Sequence, residues 1–140
     1  DNGKVWTDSC VELFLSLDET GYYNFEFTCI GIALLGFRKE RPFALHATKE
    51  VMESINRFPT LGYDNFEEKN EKTKWELTVS IPITALFRHN LKTWKGISAK
   101  ANIYKCGDNL TKPHYLSWKP IHTPKPDFHV PQYFSEIHFI

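Results

Sequence analysis

Glu12, Asn24 and Glu26 fall at alternate positions of two neighbouring segments that are otherwise rich in large apolar side chains. Two carboxyl groups and an amide gathered on one strand face can accept and donate hydrogen bonds to a ligand that carries several hydroxyls. A hydroxyl bonded to an ionised carboxylate is held more strongly than one bonded to a neutral acceptor. A polyhydroxylated ring also has C–H faces, so its binding site needs flat aromatic surface beside the polar rim. The chain has rings to spare: eleven Phe, six Tyr and four Trp make up 15% of it, more than a core of this size hides. On position alone Trp6, just ahead of the first apolar segment, reads as a cover for the edge of the core, and the competing reading of Glu12, Asn24 and Glu26 is an ordinary solvated face.

Other chemistries find less support. Lys plus Arg (17) balances Asp plus Glu (17), so no net field attracts nucleic acid or an anionic membrane surface. No apolar run is long enough to span a bilayer. Cys10, Cys29 and Cys106 are far apart and lack CxxC spacing, which argues against a zinc knuckle and allows at most one disulfide with one thiol left over. Histidines 114, 122, 129 and 138 gather late in the chain without HxH or HxxxH spacing, so no metal ligand set is assigned. The only methionine, Met52, lies in a variable middle segment, which sets haem ligation aside.

The elements that must position these residues are strands. Val11, Leu13, Leu15 and Leu17 alternate with Glu12, Phe14 and Ser16; after turn chemistry at residues 18–21, Tyr23, Phe25, Phe27 and Cys29 alternate with Asn24, Glu26 and Thr28. A hairpin that keeps both apolar sets on the core side must set Val11, Leu13 and Leu15 beside Phe27, Phe25 and Tyr23. Glu12, Asn24 and Glu26 then share the opposite face. Further strands are expected over 31–37, 75–81, 97–104, 115–118 and 134–139. Thr48 caps a short helix running through Asn56 and ended by Pro59, residues 63–74 form a polar surface loop, and 83–87 make a helical turn. About six or seven short strands separated by turns describe an all-β, antiparallel sandwich of immunoglobulin-like or jelly-roll type, with one domain over residues 1–140.

The stretches WTDSCVELFL, GYYNFEFTCIG, ANIYKCGD, HYLSW and PDFHVPQYFSEIHF, in this order and spacing, resemble the family 9 carbohydrate-binding modules. The likeness is greatest to the family-9-like domains of polysaccharide-degrading gut bacteria, and more distant to DOMON sandwich domains. It runs from Trp6 to the C-terminus, and complete members carry extra strands before the residue matching Trp6, so an N-terminally shortened domain is expected. The resemblance implies a mono- or oligosaccharide held between two rings. Trp6 matches the first ring, Glu12 a carboxylate acceptor, and Asn24 with Glu26 the polar pair of the next strand. Phe128 matches the second ring, where the family more often has Trp, which bears on binding strength. Tyr104 and His114 fall near further polar contacts. No cofactor is implied; the structural calcium that some members hold in acidic loops points to Asp108 or Asp127, neither of which lies in a dense run of oxygen ligands. An extracellular, periplasmic or outer-membrane setting and a glycoside hydrolase domain as partner also follow from the resemblance. Two other functions compete: hydrolysis with Glu12 and Glu26 as an acid and base or nucleophile pair, since facing strand positions bring carboxyls within about 5–9 Å, and a structural sandwich that docks proteins. The sequence gives no sign that either carboxyl is desolvated enough for catalysis, which favours binding.

Overall fold

Period-two alternation produces the central hairpin. In the computed structural model, which describes residues 1–140, β1 (Cys10–Asp18) pairs antiparallel with β2 (Gly21–Thr28). The register sets Val11 opposite Phe27, Leu13 opposite Phe25 and Leu15 opposite Tyr23, the one arrangement that keeps these side chains together on a buried face. β3 (Ala33–Arg38) extends the sheet beyond β2, and the short β4 (Leu45–His46) borders β3. On the other side β7 (Ser98–Cys106) pairs with β1, and its far edge is shared by β8 (Tyr115–Ser117) and β9 (Ser135–His138). The result is a seven-stranded antiparallel sheet in the order β4-β3-β2-β1-β7-β8, with β9 also on β7.

One face of this sheet carries Leu15, Tyr23, Phe25, Leu35 and Ala101, all essentially inaccessible. Against them pack Met52 and Ile55 around helix α1 (Lys49–Ser54), Leu77 and Val79 of the hairpin β5 (Asn56–Pro59)–β6 (Leu77–Ser80), and Ala85 and Leu86 at the 3-10 turn Ile83–Ala85. Sheet plus covering layer make an all-β sandwich whose second sheet has only two strands. Trp94 belongs to this layer: it packs on Phe139 at 4.7 Å between ring centroids and donates its indole N–H to the Ile81 carbonyl at 3.0 Å.

The helix departs from its expected length. Thr48 caps it, accepting from the Val51 amide at 3.4 Å, but it stops at Ser54, and Asn56 opens β5 instead of closing the helix. Arg57 supplies the reason. Its guanidinium donates to the Met52 carbonyl at 2.8 Å, to the Gly31 carbonyl at 3.0 Å and to both Asp1 carboxylate oxygens at 2.8 and 2.9 Å, which ties the end of the helix to the sheet edge and leaves Asn56–Pro59 free to pair with β6.

The opposite face is covered as well. Phe14, Tyr22, Tyr104 and Phe134 form a second apolar cluster under the segment 119–134, and Val5, Cys10, Leu34 and Cys106 form a third. Glu12 and Glu26 are each 4% exposed and Asn24 is fully buried, so these residues are not a solvated strand face.

Candidate functional site

The β1–β2 and β1–β7 registers assemble the polar part of the buried face. Glu12 lies directly opposite Glu26 on β2 and Tyr104 on β7; Phe14 lies opposite Asn24 and Asn102; Cys10 lies opposite Cys106. Above this floor is a cavity of ≈ 530 Å³ lined by Glu12, Glu26, Trp6 and Phe128 together. Four of the seven residues singled out in the sequence therefore meet in one place, although they come from an N-terminal turn, two strands and a loop near the C-terminus.

Asn24 and Tyr104 stand behind that surface. The Asn24 amide donates to Glu26 Oε1 at 2.8 Å and its carbonyl accepts from Arg38 Nε at 3.0 Å, so Arg38, Asn24 and Glu26 form a relay that fixes one carboxylate oxygen. Tyr104, 2% exposed, stacks on Phe128 with centroids 4.1 Å apart and planes 5° from parallel, and its hydroxyl donates to the Phe128 carbonyl at 3.2 Å. One face of the Phe128 ring is thus occupied by protein. His114 does not line the cavity. Its Nε2 lies 2.7 Å from the Lys105 ammonium just ahead of β8, and the cavity is lined instead by its neighbour Tyr115, which faces Cys106 across β7–β8.

Trp6 is 36% exposed in the 3-10 turn Val5–Thr7. Its carbonyl accepts from the Asp108 amide at 3.2 Å and from the Cys106 thiol at 3.5 Å, which pins the turn to the end of β7. The indole keeps open surface while its backbone is fixed.

Burial dominates the electrostatics. It pushes the Glu12 carboxyl well above the usual range, reinforced by the charge of Glu26 opposite. It raises Glu26 to about 7, against the lowering effects of the Asn24 hydrogen bond and the Arg38 charge. Glu26 Oε2 has no hydrogen-bond partner, a costly condition for a buried carboxylate oxygen. Glu12 Oε1 accepts from the Cys106 thiol at 3.0 Å. His129, also on the cavity wall, is pushed down to about 4 by burial and by Arg38 and Arg41, with its Nδ1 2.9 Å from the Tyr22 hydroxyl.

Several lining residues escaped the sequence reading. Arg38, Arg41, Phe43 and His46 come from the β3–β4 region, whose Arg38–Pro42 run reads only as an interruption of the strand pattern. Parity would have found Arg38, since it is opposite Tyr22 and two positions beyond Gly36, on the same face as Asn24. Phe43 has φ 67°, a left-handed backbone that bulky side chains avoid, and is 93% exposed. Asp127 and Asp108 also border the cavity, and Arg41 reaches Asp127 at 3.6 Å, linking the two loops that overhang it. Cys10, Cys29 and Cys106 are all free thiols. The Cys10 and Cys106 sulfurs and a Glu12 oxygen lie within 4.8 Å of one another and could hold a metal ion.

A sandwich with an aromatic and acidic pocket over the second face of its main sheet has the build of a sugar-binding β-domain. The sequence matches carbohydrate-binding family 9 over residues 1–139, and the chain belongs to that family. A crystal structure of a candidate carbohydrate-binding protein from Bacteroides uniformis superposes with a TM-score of 0.92 at 41% identity. The match covers 97% of this chain and 63% of that one, so this chain spans less than two thirds of its structural relative. No curated protein matches the sequence. No helix is long and apolar enough to cross a membrane.

Proposed function

We propose that the domain binds a mono- or oligosaccharide without transforming it, with the sugar ring between Trp6 and Phe128 and its hydroxyls directed to Glu12 and Glu26. The observation that supports this reading is the convergence of those four side chains on one cavity. Asn24 acts as a positioning residue through its bond to Glu26 Oε1, and Tyr104 by backing the Phe128 ring. Phe43, exposed on the same cavity, adds apolar surface at its rim. Stacking on Trp6 and Phe128 and a few charge-assisted bonds supply several kcal/mol gross, largely offset by lost freedom and desolvation, which sets affinity in the micromolar range or weaker. An extracytoplasmic location and a polysaccharide-degrading context with a glycoside hydrolase partner go with this reading.

The deciding experiment is a glycan array followed by calorimetry on the wild type and Trp6→Ala. Because Trp6 keeps a third of its surface and is held by its backbone, the variant is expected to lose binding while its melting temperature stays within a few degrees. A large drop in melting temperature would make Trp6 a structural residue, and wild-type protein that captures no glycan would leave the reading without its ligand.

A hydrolytic reading has one observation in its favour: burial raises both Glu12 and Glu26, as a general acid requires. Against it, a glycosidase needs one carboxylate kept ionised, and its two carboxyls flank the scissile bond from different sides. Here they are adjacent on one sheet face. Turnover of aryl glycosides that disappears with either Glu→Gln change would reverse the preference.

A further inference from the structure

Cys10 and Cys106 are remote in sequence, and the antiparallel pairing of β1 with β7 sets them directly opposite each other. Both are buried free thiols on the cavity side of the sheet, and Glu12 is the next residue of β1 on that side. The two sulfurs and a Glu12 oxygen lie within 4.8 Å of one another, and the Cys106 sulfur is 3.0 Å from Glu12 Oε1. Cys106 and Glu12 both contribute to the cavity wall, so this cluster is reached from the cavity and not sealed beneath the sheet. We infer that Cys10, Glu12 and Cys106 form a three-ligand site for a thiophilic divalent cation, zinc first among them, with its fourth coordination position turned to the cavity.

The geometry asks for little movement. Tetrahedral zinc holds sulfur at about 2.3 Å and carboxylate oxygen at about 2.0–2.2 Å, which places neighbouring ligand atoms about 3.3–3.8 Å apart. Both cysteines project from paired, well-fixed strands, and rotation of their side chains and of Glu12 is enough to close the triangle. Two thiolates select a soft or borderline ion and disfavour calcium and magnesium. The surrounding charge also suits a cation. Glu26 and Asp108 both act on Cys106 and Glu12, and Glu26, 4% exposed and opposite Glu12, has a carboxylate oxygen without a partner. Loading exchanges two S–H bonds for two metal–sulfur bonds, releases both thiol protons and any proton on Glu12 to solvent, and transfers no electrons.

The test uses the full chain, reduced and stripped with a chelator. Titration with zinc against a chromophoric chelator is expected to give one equivalent, and cobalt in its place should show the thiolate-to-metal charge-transfer absorption of a two-sulfur site. Cys10→Ser and Cys106→Ser should each weaken binding by at least about a hundredfold, while Cys29→Ser, outside the cluster, should leave it unchanged. If the serine variants fail to fold, Glu12→Gln keeps both thiols and should weaken zinc binding while retaining the cobalt–thiolate band. Absence of stoichiometric metal on the folded wild type, equal loss in Cys29→Ser, or preferential formation of a Cys10–Cys106 disulfide in the presence of zinc would overturn the site. Zinc content is read without any sugar, so an inactive lectin site and an absent metal site give different results.

Discussion

At the scale of single residues, Glu26 is the most informative group. Its carboxyl is raised from an ordinary 4.5 to about 7 by burial. The folded protein therefore holds this proton more tightly than the unfolded chain does. The stability gained from the tighter hold is full below about pH 4.5, declines as the pH climbs, and is gone once the pH passes about 7. Glu12, raised in the same direction, steepens the same trend. Glu26→Gln, which imitates the neutral acid, is expected to flatten this pH dependence and to stabilise the protein by a few kcal/mol at pH 8, with little change at pH 4. Urea unfolding at the two pH values checks it; a variant less stable than wild type at pH 8 would show that the ionised group has a compensating partner. Ligand binding should run the other way. A hydroxyl donor favours the carboxylate, so affinity should rise from pH 5 to pH 8 with proton release, and calorimetry in buffers of different ionisation enthalpy measures that release.

At the scale of elements, β3 limits what can stand on β2. Gly36 faces Asn24 across the two strands, and a Cβ there would lie 2.8 Å from Asn24 Oδ1. The Asn24 side chain is fully buried and bonded at both ends, so it has no free rotamer to retreat to. Gly36→Ala should cost about 1–3 kcal/mol and also weaken sugar binding, because Glu26 loses its anchor. Unfolding curves and calorimetry on the same sample separate the two effects; unchanged affinity would mean that Glu26 is held without Asn24. Element scale is also where the sequence was most legible. The period-two pattern of β1 and β2 dictates their register, because a slip of one residue would set the apolar side chains of one strand beside the acids and amide of the other. His114 comes from the family resemblance and not from alternation; it precedes β8, and Tyr115, paired with Cys106, is the residue that lines the cavity. The sequence extends the helix through Asn56 because the anchor that redirects the chain there, Arg57 with Asp1 and Gly31, is a contact between distant parts of the chain.

At the scale of the whole molecule, the main sheet separates two buried layers with different duties. The layer of α1 and the β5–β6 hairpin is apolar and carries stability; the layer beneath residues 119–134 mixes rings with acids. Leu86, fully buried in the first layer, is remote from the cavity lining. Leu86→Ala is expected to cost about 2–5 kcal/mol with no change in sugar affinity of the folded protein; a parallel loss of affinity would show that the layers are coupled through the sheet. The sequence disclosed the strands and several of the groups that meet in the cavity, because alternation and motif order are local properties. It did not disclose the stacking of Tyr104 on Phe128 or the Cys10–Cys106 pairing, which exist only once β7 has docked on β1.

Both rings of the proposed sugar site hang from β7. The turn bearing Trp6 is moored to the tip of β7 by the Asp108 amide and the Cys106 thiol, and Phe128 rests on Tyr104 two residues earlier in the same strand. The two jaws thus share one mount. In the proposed binding mode such a pair would act like a fixed-gap calliper, gauging the thickness of whatever enters, with little freedom to open for a bulkier, branched guest.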